Sequence, residues 1–168
     1  MLCKVSTSIE KQIMLLQFIV FDFDGVFTDN LVYISESGRE SVVCNRSDGL
    51  GLSKIKGLNI PMYVISTEKN PVVTHRCKKL EIDCIQGCDN KLTTLNQLLL
   101  KLNINIENVA YVGNDVNDQE CLQSVGLPIV VKDAHPDVLD LAQYTTKKLG
   151  GHGAVREVCD LIYNARSS

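Results

Sequence analysis

Two aspartates, Asp22 and Asp24, close a short apolar run and open the segment Asp22-Phe23-Asp24-Gly25-Val26-Phe27-Thr28-Asp29. Further along, Ser66-Thr67 follows a second apolar run, Lys91 follows the polar loop Gly87-Cys88-Asp89-Asn90, and Gly113-Asn114-Asp115-Val116-Asn117-Asp118 follows a third. Carboxylates, a hydroxyl and an ammonium brought to one place suit phosphoryl transfer. Crowded acids repel, and a hard divalent cation relieves the repulsion. Mg²⁺ accepts one or two carboxylates together with water and a phosphate oxygen. Lys91 and Ser66 can hold the remaining phosphate oxygens, with backbone N–H groups near Asp24 and Gly25 as further donors. Strand geometry points residues two apart to the same side, so Asp22 and Asp24 are expected together. Each motif taken alone has a plainer reading as a turn, a helix cap or a surface lysine. Their joint order and position favour a site built on charge neutralisation and positioning.

The elements that must carry these residues alternate along the chain. Residues 17–21, 60–65, 83–85, 109–112, 127–131 and 144–145 read as strands. Residues 31–34 and 41–44 read as a hairpin about Ser37-Gly38. Helices are predicted over 48–56, 71–80, 91–102, 118–125 and 154–165; the apolar spacing of Leu92, Leu95, Leu98, Leu99 and Leu102 is the helical period. Residues 1–16 read as a polar lead-in, and residues 17–168 as one domain. The rhythm predicts an α/β fold: a Rossmann-like three-layer sandwich with a mainly parallel sheet and a protruding β-hairpin flap. In such sheets ligands sit beyond the carboxyl ends of the strands, where the four motifs fall.

Composition narrows the functional classes. A chain of 168 residues can bury about 70% of the surface its unfolded form exposes, so it needs no disulfide staples. A net charge of −3 and a pI near 5.6 argue against nucleic acid as a partner. No apolar stretch is long enough to span a membrane, and the first residues lack the pattern of a secretory signal. The seven cysteines, Cys3, Cys44, Cys77, Cys84, Cys88, Cys121 and Cys159, are odd in number and include no CxxC pair. They read as free thiols in a reducing cytoplasm rather than as a metal site at Cys84 and Cys88. His75 and His135 read as surface or cap residues.

The four motifs, in this order over residues 18–118, resemble those of the haloacid dehalogenase superfamily of phosphatases. The resemblance implies that Asp22 is the nucleophile and Asp24 the general acid and base. It implies Mg²⁺ on the Asp22 carboxylate, the Asp24 carbonyl and Asp115, and a phosphoryl group held by Ser66, Thr67 and Lys91. About forty residues separate Asp24 from Ser66, which leaves no room for a cap domain. Four further segments bring residues 18–166 close to the capless 3-deoxy-D-manno-octulosonate 8-phosphate phosphatase family. They are Asn45-Arg46-Ser47-Asp48-Gly49, Asn108-Val109-Ala110-Tyr111-Val112-Gly113, Asp133-Ala134-His135-Pro136 and Gly150-Gly151-His152-Gly153-Ala154-Val155-Arg156-Glu157. That family includes sialate-type nonulosonate 9-phosphate phosphatases and the C-terminal domains of CMP-sialate synthetases.

This closer resemblance implies a small sugar-acid phosphate as substrate and Asp48, Glu68, Arg76, Lys79 and Arg156 as substrate-binding residues. It also implies a homotetramer in which a neighbour's hairpin and C-terminal segment help close each site; the apolar Val32, Tyr33, Ile34, Val42 and Val43 agree with a buried partner face. Ser66-Thr67-Glu68-Lys69 with Arg76 and Lys79 is similar to the nonulosonate branch. Four positions depart from the family pattern: Ser66 replaces a common Thr, Thr67 a frequent Gly, Asn114 the first Asp of Gly-Asp-Asp, and His152 a frequent Arg. The alternative is a non-catalytic oligomerisation domain of a CMP-sialate synthetase-like protein. Such domains can lose the acids, whereas Asp22, Asp24, Lys91 and Asp115 are all present.

Overall fold

The computed structural model describes residues 6–167; Cys3 lies outside them. Six strands form one parallel sheet: β1 (Phe18–Phe21), β4 (Met62–Ile65), β5 (Asp83–Ile85), β6 (Val109–Gly113), β7 (Leu127–Val130) and β8 (Tyr144–Thr145). Their order across the sheet is β5-β4-β1-β6-β7-β8. β1, β6 and β7 are buried at every residue, which is why they read as unbroken apolar runs rather than alternating ones. The edge strands β5 and β8 are short and partly exposed. β2 (Tyr33–Ile34) and β3 (Glu40–Ser41) form a separate antiparallel hairpin.

The chain builds outward from β1 through β4 to β5, then returns to lay β6 on the other side of β1. That reversal makes the crevice beyond the ends of β1 and β6 the natural ligand position. The helices α2 (Ser47–Gly57) and α7 (Ala154–Arg166) pack together with α1 (Thr7–Leu15) on one face. α4 (Lys91–Leu102) and α5 (Gln119–Ser124) pack on the other. α3 (Val72–Leu80) lies against β5, and α6 (Pro136–Leu139) is a single turn.

The segment expected to be a polar lead-in is largely the helix α1. Ser6 caps it by accepting from the Ile9 N–H, and Ile9, Ile13 and Leu16 are buried at helical spacing. The Arg166 guanidinium, on α7, donates to the Ile13 and Leu16 carbonyls and satisfies groups that the end of α1 leaves free. α6 was not foreseen either. Its four residues are too few for a helical pattern, and it starts on His135, whose ring accepts from the Asp137 N–H.

Candidate active site

β1 ends at Phe21, and the chain turns at once. The Phe23 ring is drawn into the core, where it stacks on Phe27 with centroids 5.8 Å apart. Asp22 and Asp24 are left on the opposite side, lining one cavity of about 240 Å³ with Thr67, Asn114 and Asp115. The two aspartates therefore share a side, but a turn anchored by Phe23 puts them there rather than strand alternation. A larger hollow of about 580 Å³ at the far end of α4 is lined by apolar residues and asparagines, with no titratable group.

Lys91 opens α4 behind Asn90, whose side chain caps the helix by accepting from the Thr93 N–H. Its ammonium is buried, 2.8 Å from Asp22 Oδ1 and 2.7 Å from Asp118 Oδ1. Burial opposes its charge, but the two carboxylates outweigh that cost and hold its pKa above the usual lysine value. Asp118 is wholly buried. Tyr111 donates its hydroxyl to Asp118 Oδ1, and the N–H groups of Asn114 and Asp115 donate to Oδ2. The close approach requires Gly113, because a Cβ there would stand 2.6 Å from Asp118 Oδ2.

Two carboxylates and one ammonium in this dry floor leave one negative charge uncompensated. Burial, then the like charge of Asp118, pushes Asp22 up to about 7, against the pull of Lys91 and the Phe23 N–H. A cation at the remaining Asp22 oxygen would balance the count. The donors there suit a hard divalent ion. The Asn114 amide NH₂ donates to Asp22 Oδ2 at 3.1 Å and to the Asp24 carbonyl oxygen at 2.9 Å, so the two acceptors brought together there are both oxygens. No three His, Cys, Asp or Glu side chains gather to hold a metal among the described residues, at Cys84 and Cys88 or elsewhere.

Asp115, expected as the acidic partner of Asp22, stands one residue beyond that place. The structure sets Asn114 against Asp22, because Asn114 directly follows the end of β6. Asp115 instead caps the helical turn Val116–Asp118, accepting from the Val116 N–H at 2.7 Å, while it lines the cavity wall. The Asp24 carboxyl is partly buried, and burial followed by the charge of Glu68 raises its pKa. Ser66 is buried at the end of β4 with its hydroxyl accepting from the Glu68 N–H at 3.0 Å, and Thr67 is exposed in the cavity. Glu68 folds onto its own loop, accepting from the Lys69 and Asn70 N–H groups.

Three residues expected at the substrate are held by the protein itself. Asp48 is buried and accepts from the Arg156 N–H at the start of α7. Arg156 pairs with Asp160 at 2.7 Å, and Arg76 donates to the Asn45 carbonyl at 2.8 Å. Lys79 is exposed on α3. Sequence reasoning missed Asn114 and Asp118 as parts of the site. The spacing Asp115-x-x-Asp118, a capping box, was the available signal for Asp118.

The model of the haloacid dehalogenase-like hydrolase family matches residues 65–157. The chain is 41% identical over 163 residues to the 3-deoxy-D-manno-octulosonate 8-phosphate phosphatase of Salmonella typhi, covering 96% of this chain and 87% of that protein. The chain belongs to the haloacid dehalogenase-like hydrolases. The crystal structure of the octulosonate 8-phosphate phosphatase from Yersinia pestis superposes with a TM-score of 0.93 at 35% identity, over 97% of this chain and 89% of that one. The corresponding Moraxella catarrhalis enzyme, solved with magnesium ion, phosphate ion and a KDO molecule, gives 0.90 at 35% identity, over 94% and 91%. Within the haloacid dehalogenase-like hydrolases this chain is a phosphomonoester hydrolase of the octulosonate-phosphatase type, and it is similar to an enzyme solved with magnesium and to one from Haemophilus influenzae solved in a cobalt-bound form. No helix among the described residues is long and apolar enough to cross a membrane.

Proposed function

We propose that the chain is a Mg²⁺-dependent phosphatase acting in the cytoplasm on a 3-deoxy-2-ulosonic acid phosphate, with 3-deoxy-D-manno-octulosonate 8-phosphate as the first candidate. The observation that carries this reading is the division of labour at Asp22. One oxygen is held by Lys91 and the Phe23 N–H, and the other faces the Asp24 carbonyl and Asn114 at the end of β1. Asp22 attacks phosphorus and takes the phosphoryl group as an aspartyl phosphate while the bond to the sugar oxygen breaks. Asp24 gives that oxygen its proton, then takes one from the water that attacks phosphorus, so inorganic phosphate and the free sugar acid leave. The raised pKa of Asp24 accords with starting as the acid. Lys91, Ser66 and Thr67 bind the phosphoryl oxygens. Mg²⁺, held by Asp22 and the Asp24 carbonyl with Asp115 on the cavity wall, supplies charge neutralisation to the transferring group.

The names of the relatives support the octulosonate substrate. A nonulosonate 9-phosphate is the second reading, favoured by the run Ser66-Thr67-Glu68-Lys69 together with Arg76 and Lys79. Every residue from Asn30 to Ser41 is exposed, including Tyr33 and Ile34. This apolar flap supports assembly into a homotetramer in which a neighbouring copy helps close the cavity. Phosphate release from octulosonate 8-phosphate and nonulosonate 9-phosphate, measured side by side with Mg²⁺ and with EDTA, tests the proposal. Turnover of one of them, lost in EDTA and in Asp24→Asn, is expected. Turnover indifferent to EDTA, or confined to neutral sugar phosphates, contradicts it.

A further inference from the structure

We propose that Gln86 is a positioning residue for the phosphoryl-binding loop, the segment 66–70 that carries Ser66 and Thr67. The inference rests on the phosphatase reading above and concerns what holds that loop in shape. Gln86 directly follows β5 and is half-buried. Both ends of its amide are engaged twice. The oxygen accepts from the Thr74 N–H at 3.1 Å and from the Thr74 hydroxyl. The nitrogen donates to the Lys69 carbonyl at 2.9 Å and to the Asn70 carbonyl at 3.4 Å. A backbone N–H on one side and two carbonyls on the other allow only one orientation of the amide.

The backbone alone ties down only the near part of the loop. The Ser66 N–H donates to the Ile85 carbonyl at 2.9 Å, the Cys88 N–H to the Ser66 carbonyl at 3.2 Å, and the Gly87 N–H to the Glu68 carbonyl at 2.9 Å. This ladder stops at Glu68. Past its end lie the Lys69 and Asn70 carbonyls, followed by the first turn of α3, where a helix start leaves N–H groups without partners inside the helix. Gln86 serves both needs: its oxygen caps α3 at Thr74, and its nitrogen draws in the far end of the loop. Asn70 adds to the join by accepting from the Val72 N–H at 3.1 Å. Ser66, buried at the end of β4, and Thr67, exposed in the cavity, therefore stand between two anchored ends. Groups fixed in this way grip a phosphoryl group without first having to be ordered.

Gln86→Glu separates the two duties. A carboxylate still accepts from Thr74, but it sets an oxygen without a proton against the Lys69 and Asn70 carbonyls. Gln86→Met removes both contacts and brings in no charge. The test uses the full chain, with p-nitrophenyl phosphate as substrate and inorganic phosphate as competitive inhibitor. KM and Ki are read on the folded molecules, whatever share of the sample they form, and Gln86→Met carries the test where Gln86→Glu fails to fold. Both variants are expected to raise KM and the Ki of phosphate at least about fivefold, with kcat within about threefold, because Asp22, Asp24 and Lys91 are untouched. Ser66→Ala, which removes a phosphoryl ligand itself, should weaken phosphate to a similar degree. Arg166→Met, which frees the end of α1, should melt below wild type and keep Ki within about twofold. An unchanged Ki in the Gln86 variants beside a weakened Ser66→Ala overturns the role of Gln86 alone. An unchanged Ki in Ser66→Ala as well overturns the phosphoryl-binding loop with it. A Ki that rises as far in Arg166→Met assigns the effect to lost stability and overturns the positioning role.

Discussion

The floor of the candidate site and the hairpin beside it are opposites. The floor is polar and buried: Asp22, Lys91 and Asp118 are each at most 4% exposed, and Tyr111 is fully enclosed. The hairpin is apolar and open: Tyr33 is 63% and Ile34 69% exposed. In the floor, charge is driven into the core and held by mutual pairing, a costly arrangement that makes sense where a phosphoryl group must be gripped in a dry place. In the hairpin, apolar area is left in water, which makes sense where another surface covers it. The contrast teaches that this chain buries charge at its candidate site and leaves apolar surface open on the hairpin beside it.

The comparison breaks most severely at Lys91. Lys91→Met leaves Asp22 and Asp118 facing each other without a cation, and unfolding in urea should show a loss of about 3–5 kcal/mol together with loss of phosphate release. Asp48, between the two regions at the start of α2, gives the next effect. Burial pushes its pKa up to about 6, above its unfolded value of 3.8. Between those values the folded state holds the proton more tightly, so stability falls as pH rises from about 4 to about 6. The difference is up to about 3 kcal/mol. Asp48→Asn should lose that slope, read as the pH dependence of the difference between the two proteins. Tyr111→Phe removes one donor from Asp118 while Lys91 and two N–H groups remain, and should cost about 1 kcal/mol in the same unfolding assay. The smallest effect belongs to the hairpin. Tyr33→Ser with Ile34→Ser should leave the unfolding free energy of the single chain within about 0.5 kcal/mol. The same pair of changes should lower the assembled mass seen by light scattering.

The sheet was largely legible because it is buried on both faces. The apolar runs at β1, β6 and β7 are too short for buried helices and are bounded by turn residues, which leaves central parallel strands, and Lys91–Leu102 carries a helical period with a capping asparagine before it. α1 was misread because its polar residues outnumber the few apolar ones, although Ile9, Ile13 and Leu16 carry the helical spacing. The positions of Asp22, Asp24, Lys91 and Ser66 could be read from their place after strands. Asn114 and Asp118 could not be read that way. Which of several polar residues in one turn faces inward depends on where β6 ends and on the space beside Gly113 and Gly25. Asp48, Arg76 and Arg156 each bond to the protein itself as well, contacts that residue type does not announce and only packing reveals.

Asp22 carries the excess negative charge of the floor, since Lys91 is shared between it and Asp118. Phosphate release by Asp22→Asn, measured in Mg²⁺ on protein whose melting curve shows it folded, addresses this most directly. The substitution leaves Lys91 paired with Asp118, so the fold should survive, and the rate should drop by at least about 10³-fold. A rate within about threefold of wild type would contradict the account.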